Sequence, residues 1–116
     1  MKHSRFVSFL IGTILVSFNI SNAEADEFQD WLKAHKVTEK IVNDLAKAGN
    51  AYGYGPVNDG IKNSFAVIMA GTCLDVRSGK KTWKQSISED IKSGAPQTSA
   101  RKFNDYLKNR YCPKVR

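Results

Sequence analysis

Few residues of this chain have the chemistry to act on anything. They are Cys73 and Cys112, the histidines, the adjacent acids Glu89 and Asp90, and Tyr52 and Tyr54 set among glycines. A Ser/His/Asp or Cys/His triad would have to draw on His35, which lies among helix-surface charges and reads as solvated. Glu89 and Asp90 are neighbours on a helical stretch, so their side chains point about 100° apart and read as surface charge rather than an acid/base pair. Gly53 and Gly55 lack the preceding strand and following helix that give a glycine loop its phosphate-binding meaning. The cysteine spacing fits no zinc finger or ribbon, and no metal or organic cofactor is expected. Catalysis therefore has little to stand on, and the sequence reads as that of a non-enzyme.

What remains is covalent closure and recognition. Cys73 and Cys112 are expected to form a disulfide across 39 residues. In the chain-entropy model such a loop is stabilised by roughly 4 kcal/mol, a large share for a small domain. The segment Gly49 to Gly60, GNAYGYGPVNDG, holds four of the eight glycines together with Pro56, Tyr52 and Tyr54. Tyrosines on a glycine-bordered turn present large amphipathic surface at low entropic cost, which suits recognition. The same rings could equally fold back as a lid over the core, and Trp83 reads as a core anchor.

The disulfide presupposes an oxidising compartment, and the first residues are consistent with export. Lys2 and Arg5 precede an apolar run from Phe6 to Ile20, and Ser21-Asn22-Ala23 offers small residues where a signal peptidase cuts. Ala23-Glu24-Ala25 is a second possible cut, and no cysteine stands at the junction for lipid anchoring. The run falls short of the about 20 apolar residues of a spanning helix. The expected organisation is a signal peptide, residues 1–23, and a single domain, residues 24–116, located in the periplasm or outside the cell. Of the formal charge of +7, Lys2 and Arg5 supply two, leaving +5 on the domain. That balance suits an acidic partner or, less well, an anionic membrane surface; export argues against nucleic acid.

Helical periodicity runs through most of the domain, with no strand-like alternation. Asp26 can cap a first helix carrying Phe28, Trp31 and Leu32, and Thr38 a second carrying Ile41, Val42, Leu45 and Ala46 to a stop at Gly49. Asp59 can start a central helix, Ile61 to Ser78, apolar over much of its circumference and ended by Gly79. Thr82-Trp83-Lys84-Gln85 fits a capping box, leading into a helix with Trp83, Ile87 and Ile91 in step. After Ser93-Gly94-Ala95-Pro96, a last helix turns Ala100, Phe103, Leu107 and Tyr111 inward and ends at Cys112-Pro113. The expected fold is all-α: a compact bundle of four or five short helices closed by one disulfide. Tyr52 and Tyr54, with the basic residues Arg77, Lys80, Lys81 and Lys84, are the expected partner-binding surface.

Three motifs resemble the small secreted helical domain of unknown function found in exported actinobacterial proteins. They are Glu27-Phe28 leading to Trp31-Leu32, Cys73 six residues before Gly79, and the closing Tyr111-Cys112-Pro113. That resemblance implies a helical, disulfide-closed, exported domain and brings no catalytic residues. The chain is also similar, more distantly, to periplasmic immunity proteins that neutralise type VI secretion amidases, some of which end in Cys-Pro. The residues themselves are expected to make a binding module rather than an enzyme. The second likeness implies an inhibitor of a cell-wall enzyme or toxin, with the tyrosine loop as its plug.

Overall fold

A computed structural model describes the backbone from Asn22 to Arg116 and the side chains from Asp26 onward. The apolar run Phe6 to Ile20 lies outside the described residues. Five α-helices follow in order among the described residues: α1 (Asn22–Ala34), α2 (Glu39–Ala51), α3 (Lys62–Arg77), α4 (Trp83–Lys92) and α5 (Gln97–Tyr106). The chain continues from α5 through a π-helical turn, Leu107–Tyr111, and a 3₁₀ turn, Cys112–Lys114. α3 is the spine: α1, α2 and the π turn all rest on it, while α4 packs on α5. The all-α bundle is thus as the periodicity predicts, and Cys73–Cys112 is paired as the cysteine count led one to expect.

The helix ends explain where the chain turns. At α1 to α4 the same backbone pattern recurs, with one bond closing back from two residues past the cap and a second nested inside it. Val37 N–H donates to Leu32 O, Tyr54 to Gly49 O, Lys80 to Asp75 O and Ala95 to Asp90 O, at 2.7–3.0 Å. This Schellman arrangement needs one residue in the left-handed region just past the cap. Glycine supplies it at Gly53 (φ 81°), Gly79 (φ 85°) and Gly94 (φ 112°). At α1 it is supplied by Lys36, at φ 64°, a conformation that costs a side-chain-bearing residue roughly 1 kcal/mol.

Several sequence expectations are corrected here. Gly49 does not end α2: it is buried inside the helix, where a Cβ would lie 3.0 Å from the Phe65 ring carbons. It lets α2 cross the spine closely, and Gly53 makes the stop. Asp26 falls inside α1 rather than at its start. Asp59 does not cap α3; the Asn58 side chain instead accepts from Gly60 N–H at 2.9 Å and shapes the turn, with Ile61 at the cap position. On α4 Trp83 and Ile87 are half-buried against the core and Ile91 is exposed, whereas the fully buried positions are Ser86 and Asp90. Asp90 is therefore no surface charge.

Other expectations hold. Thr38 caps α2 by accepting from Ile41 N–H, and the Thr82–Gln85 capping box is formed in both directions. Ala100, Phe103, Leu107 and Tyr111 are all buried. Tyr111 donates its hydroxyl to the Ala66 carbonyl at 2.6 Å, so the last turn is hydrogen-bonded to the spine as well as joined to it by Cys73–Cys112. Tyr111 lies so deep that burial first, and Tyr106 second, hold its phenol well above the ordinary tyrosine range.

Candidate functional site

The tyrosine loop splits into two roles. Tyr54 is turned inward, 3% exposed, with its ring 4.1 Å from that of Phe103. Its hydroxyl donates to Asp90 Oδ2 at 2.5 Å. Asn104 donates to the same carboxyl oxygen at 2.9 Å and accepts from the Ser86 hydroxyl at 2.7 Å. All four side chains are buried, so they form an internal polar junction tying the loop to α4 and α5. Tyr54 is a fastening of the fold and not a contact surface, which corrects the expectation for that residue. Asn50 clamps the rest of the loop, accepting from Val57 N–H at 2.7 Å and donating to its carbonyl at 3.0 Å. The Asn50 amide passes so near Gly55 that a Cβ there would lie 2.0 Å from its oxygen.

Tyr52 behaves differently. It is half-buried, its ring centroid 6.5 Å from that of Phe103, and it lines a groove of about 430 Å³. The floor is Ile41, Ala48 and Ala51 on the outer side of α2. Across from them stands Tyr106, whose ring lies nearly parallel to that of Phe103 at 6.4 Å. Phe103 thus braces both groove tyrosines from behind. The rim carries Asp44 and Lys47 from α2, Arg110 from the π turn and Lys114 from the 3₁₀ turn. π turns inside α-helices recur at functional sites, and this one delivers Arg110 one turn past Tyr106.

The electrostatics of the groove follow from that rim. Asp44 accepts a hydrogen bond from Lys40 at 2.9 Å, and this, with the nearby charges of Lys40, Lys47 and Lys114, holds its carboxyl below the usual range. The Tyr106 phenol is raised, chiefly by partial burial and then by Asp44, with Arg110 opposing. The groove is therefore a positively biased channel with apolar, aromatic walls.

The expected basic patch does not join it. None of Arg77, Lys80, Lys81 and Lys84 lines the groove. Arg77 donates from Nη2 to the carbonyls of Cys112 and Val115 at 2.9 and 2.8 Å, an internal clasp on the C-terminal arm. Lys81 is 2.7 Å from Glu89. Lys80 and Lys84 are exposed. Nor is His35 a solvated surface residue: it is half-buried, stacked on Trp31 at 3.8 Å between centroids, with Nδ1 against the Arg116 carbonyl. Sequence reasoning overlooked Tyr106, Arg110 and Lys114. Two signals pointed to them: Tyr106 and Arg110 are one helical turn apart, and Ile41, Ala48 and Ala51 make an apolar stripe on α2 beside the core stripe of Val42, Leu45 and Gly49.

Among the described residues no group of three or more His, Cys, Asp or Glu side chains is placed to hold a metal, and no helix is long and apolar enough to cross a membrane. What the fold and groove define is a small disulfide-closed helical domain with a basic, aromatic-walled channel. No family model matches the chain, and neither the curated proteins nor the solved structures contain a match to it.

Proposed function

We propose that this is an exported, non-catalytic binding module that engages a protein partner in the periplasm or outside the cell through the Tyr52–Tyr106 groove. The observation that carries the reading is the pairing of two braced, half-exposed tyrosines, over an apolar floor, with cations that form no ion pair among the described residues. Tyrosine and arginine at a recessed centre are the side chains that concentrate binding energy at protein interfaces. The leader-like first residues and the disulfide support export. The second reading, an inhibitor or immunity protein acting on a cell-wall enzyme or toxin, uses the same groove rim but rests on the resemblance described above. Inward-turned Tyr54 weakens the version in which the loop is a plug, since only Tyr52 is left to insert.

The test is site-specific photocrosslinking in the source organism. A benzophenone amino acid placed at Tyr106 is expected to trap a discrete partner, and the same group placed at Lys84 is not. Crosslinks from Lys84 alone would move the binding surface to the start of α4 and overturn the groove reading. Location is read in the same experiment by fractionation: protein found only in the cytoplasm with its full leader would overturn export.

A further inference from the structure

The groove does not end at Lys114. A second hollow of about 410 Å³ adjoins it, lined by Lys36, Ile41, Pro113, Lys114 and Arg116. Ile41 and Lys114 line both, so the two hollows are neighbours along α2 and the C-terminal arm, together a trough with Ile41 and Lys114 where they meet. Five cations stand along it, Lys36, Lys47, Arg110, Lys114 and Arg116, and none of them forms an ion pair with a described residue. The single acid on its walls, Asp44, is already bonded to Lys40. Like charges gathered on one side repel, and one carboxylate does not offset five cations.

A second observation points to the same trough. Of the four helices that end in the left-handed cap, three use glycine and only α1 uses a lysine. The exception, Lys36, is the one that lines the trough. Strain of this kind is retained where a side chain is needed at that place. The backbone around it is also fixed: Arg116 N–H donates to the His35 carbonyl at 3.1 Å, and His35 bonds back to the Arg116 carbonyl. That exchange sets Lys36 and Arg116 side by side.

Resting on the groove reading above, we infer that the trough receives an extended acidic segment of the partner polypeptide, with one aromatic or aliphatic side chain seated between Tyr52 and Tyr106. The apolar floor takes that side chain. Carboxylates spaced along the segment meet Arg110 and Lys114 at its middle and Lys36 and Arg116 at its end. An extended chain rises about 3.3 Å per residue and sends alternate side chains to one side, so acids flanking the anchor at alternate positions reach the cations. A recessed floor fits a chain that can enter it, whereas a lipid headgroup layer is flat. Because Asp44 stands on the wall beside the apolar floor, the fit is to a segment whose acids are spaced around an apolar anchor rather than to a uniformly charged polyphosphate backbone.

The assay is fluorescence anisotropy of the purified, oxidised protein with a labelled peptide, Glu-Glu-Asp-Phe-Glu-Glu-Leu-Asp, against its Gln/Asn counterpart. The acidic peptide is expected to bind and the neutral one to bind at least tenfold more weakly. R110E/K114E should lose at least tenfold in affinity, while K80E/K84E, with the same change in net charge, should stay within about twofold. Lys36→Gly should weaken binding severalfold while raising the melting temperature, a pairing that a structural role alone would not produce. Equal loss in K80E/K84E, or equal binding of the neutral peptide, overturns the inference. So does trough-dependent binding of phosphatidylglycerol vesicles or oligo-dT in preference to the peptide. If the acidic peptide fails while crosslinks from Tyr106 persist, only the acidic-segment inference falls; if those crosslinks are absent too, the groove reading falls with it.

Discussion

Replacing Tyr54 by Phe removes one oxygen atom from the interior and little else. The ring keeps its volume and its 4.1 Å approach to Phe103, so no cavity opens. What disappears is the 2.5 Å hydrogen bond to Asp90 Oδ2, an atom that also accepts from Asn104. Two donors converge on that carboxyl oxygen, and Asp90 is 1% exposed, so water cannot replace the lost donor at no cost. A hydrogen bond contributes about 0.5–1.5 kcal/mol net, and leaving a buried acceptor one donor short, with the Asn104 bond still in place, adds to that. A loss of about 1–2 kcal/mol is thus expected, from a total of about 5–10 for a domain of this size. In thermal terms that is a drop of about 5–15 °C. The assay is urea unfolding of the oxidised protein, followed by far-ultraviolet circular dichroism and by the fluorescence of Trp31 and Trp83, which lie on α1 and α4. A Y54F/D90N double-mutant cycle isolates the pair. A change below about 0.5 kcal/mol in Y54F, or no coupling in the cycle, would refute the assignment of Tyr54 as an internal fastening. Well below the melting temperature, Y54F should leave crosslinking from Tyr106 intact, whereas Tyr52→Ala should reduce it.

Three further outcomes are expected. Gly55→Ala forces the Asn50 amide away and breaks both of its bonds to Val57, costing about 2 kcal/mol, measurable in the same urea titration. Reducing Cys73–Cys112 should lower stability by about 4 kcal/mol and weaken groove binding as well, because Cys112 lies between Arg110 and Lys114; comparison of melting curves and anisotropy with and without reductant checks both. The raised Tyr111 phenol sets an alkaline limit. A group whose folded pKa lies above its unfolded value contributes stability in full below the unfolded pKa, about 10 for tyrosine, and loses it as pH rises beyond. Unfolding free energy should therefore fall above pH about 10 by roughly 1.4 kcal/mol per unit from this group, and Tyr111→Phe should flatten the slope by about one proton.

The helices were legible because their signals are local. Thr38, the Thr82–Gln85 box and the glycines at Gly79 and Gly94 act on backbone within a turn of themselves, so reading them requires no tertiary knowledge. The inward run Ala100, Phe103, Leu107, Tyr111 was legible for the same reason of spacing. Two local signals, Asp26 and Asp59 as caps, misled; the other failures are tertiary. Gly49 looks like a stop until Phe65 is seen against it. Asp90 looks like surface charge until Tyr54 and Asn104, remote in sequence, arrive to satisfy it. Arg77 and Lys80 look like one patch because they are close in sequence, yet Arg77 is spent on the C-terminal carbonyls. The candidate site was half legible, through Tyr52, because a groove is made between elements. Tyr106, Arg110 and Lys114 acquire meaning only when the last turns are laid against α2.

The C-terminal arm that forms one side of the trough is gripped along its whole length. A disulfide holds Cys112, the Arg77 guanidinium holds the carbonyls of Cys112 and Val115, Val115 itself is buried, and His35 holds Arg116. Its shape is therefore set before any partner arrives. Ordering costs on association fall on whatever enters, not on this chain. A ligand already locked in the extended form, by cyclisation or by proline outside the contact residues, should then gain affinity through a slower departure rather than a faster arrival. In that sense the domain is a fixed mould, and the adaptable member of the complex is the other one.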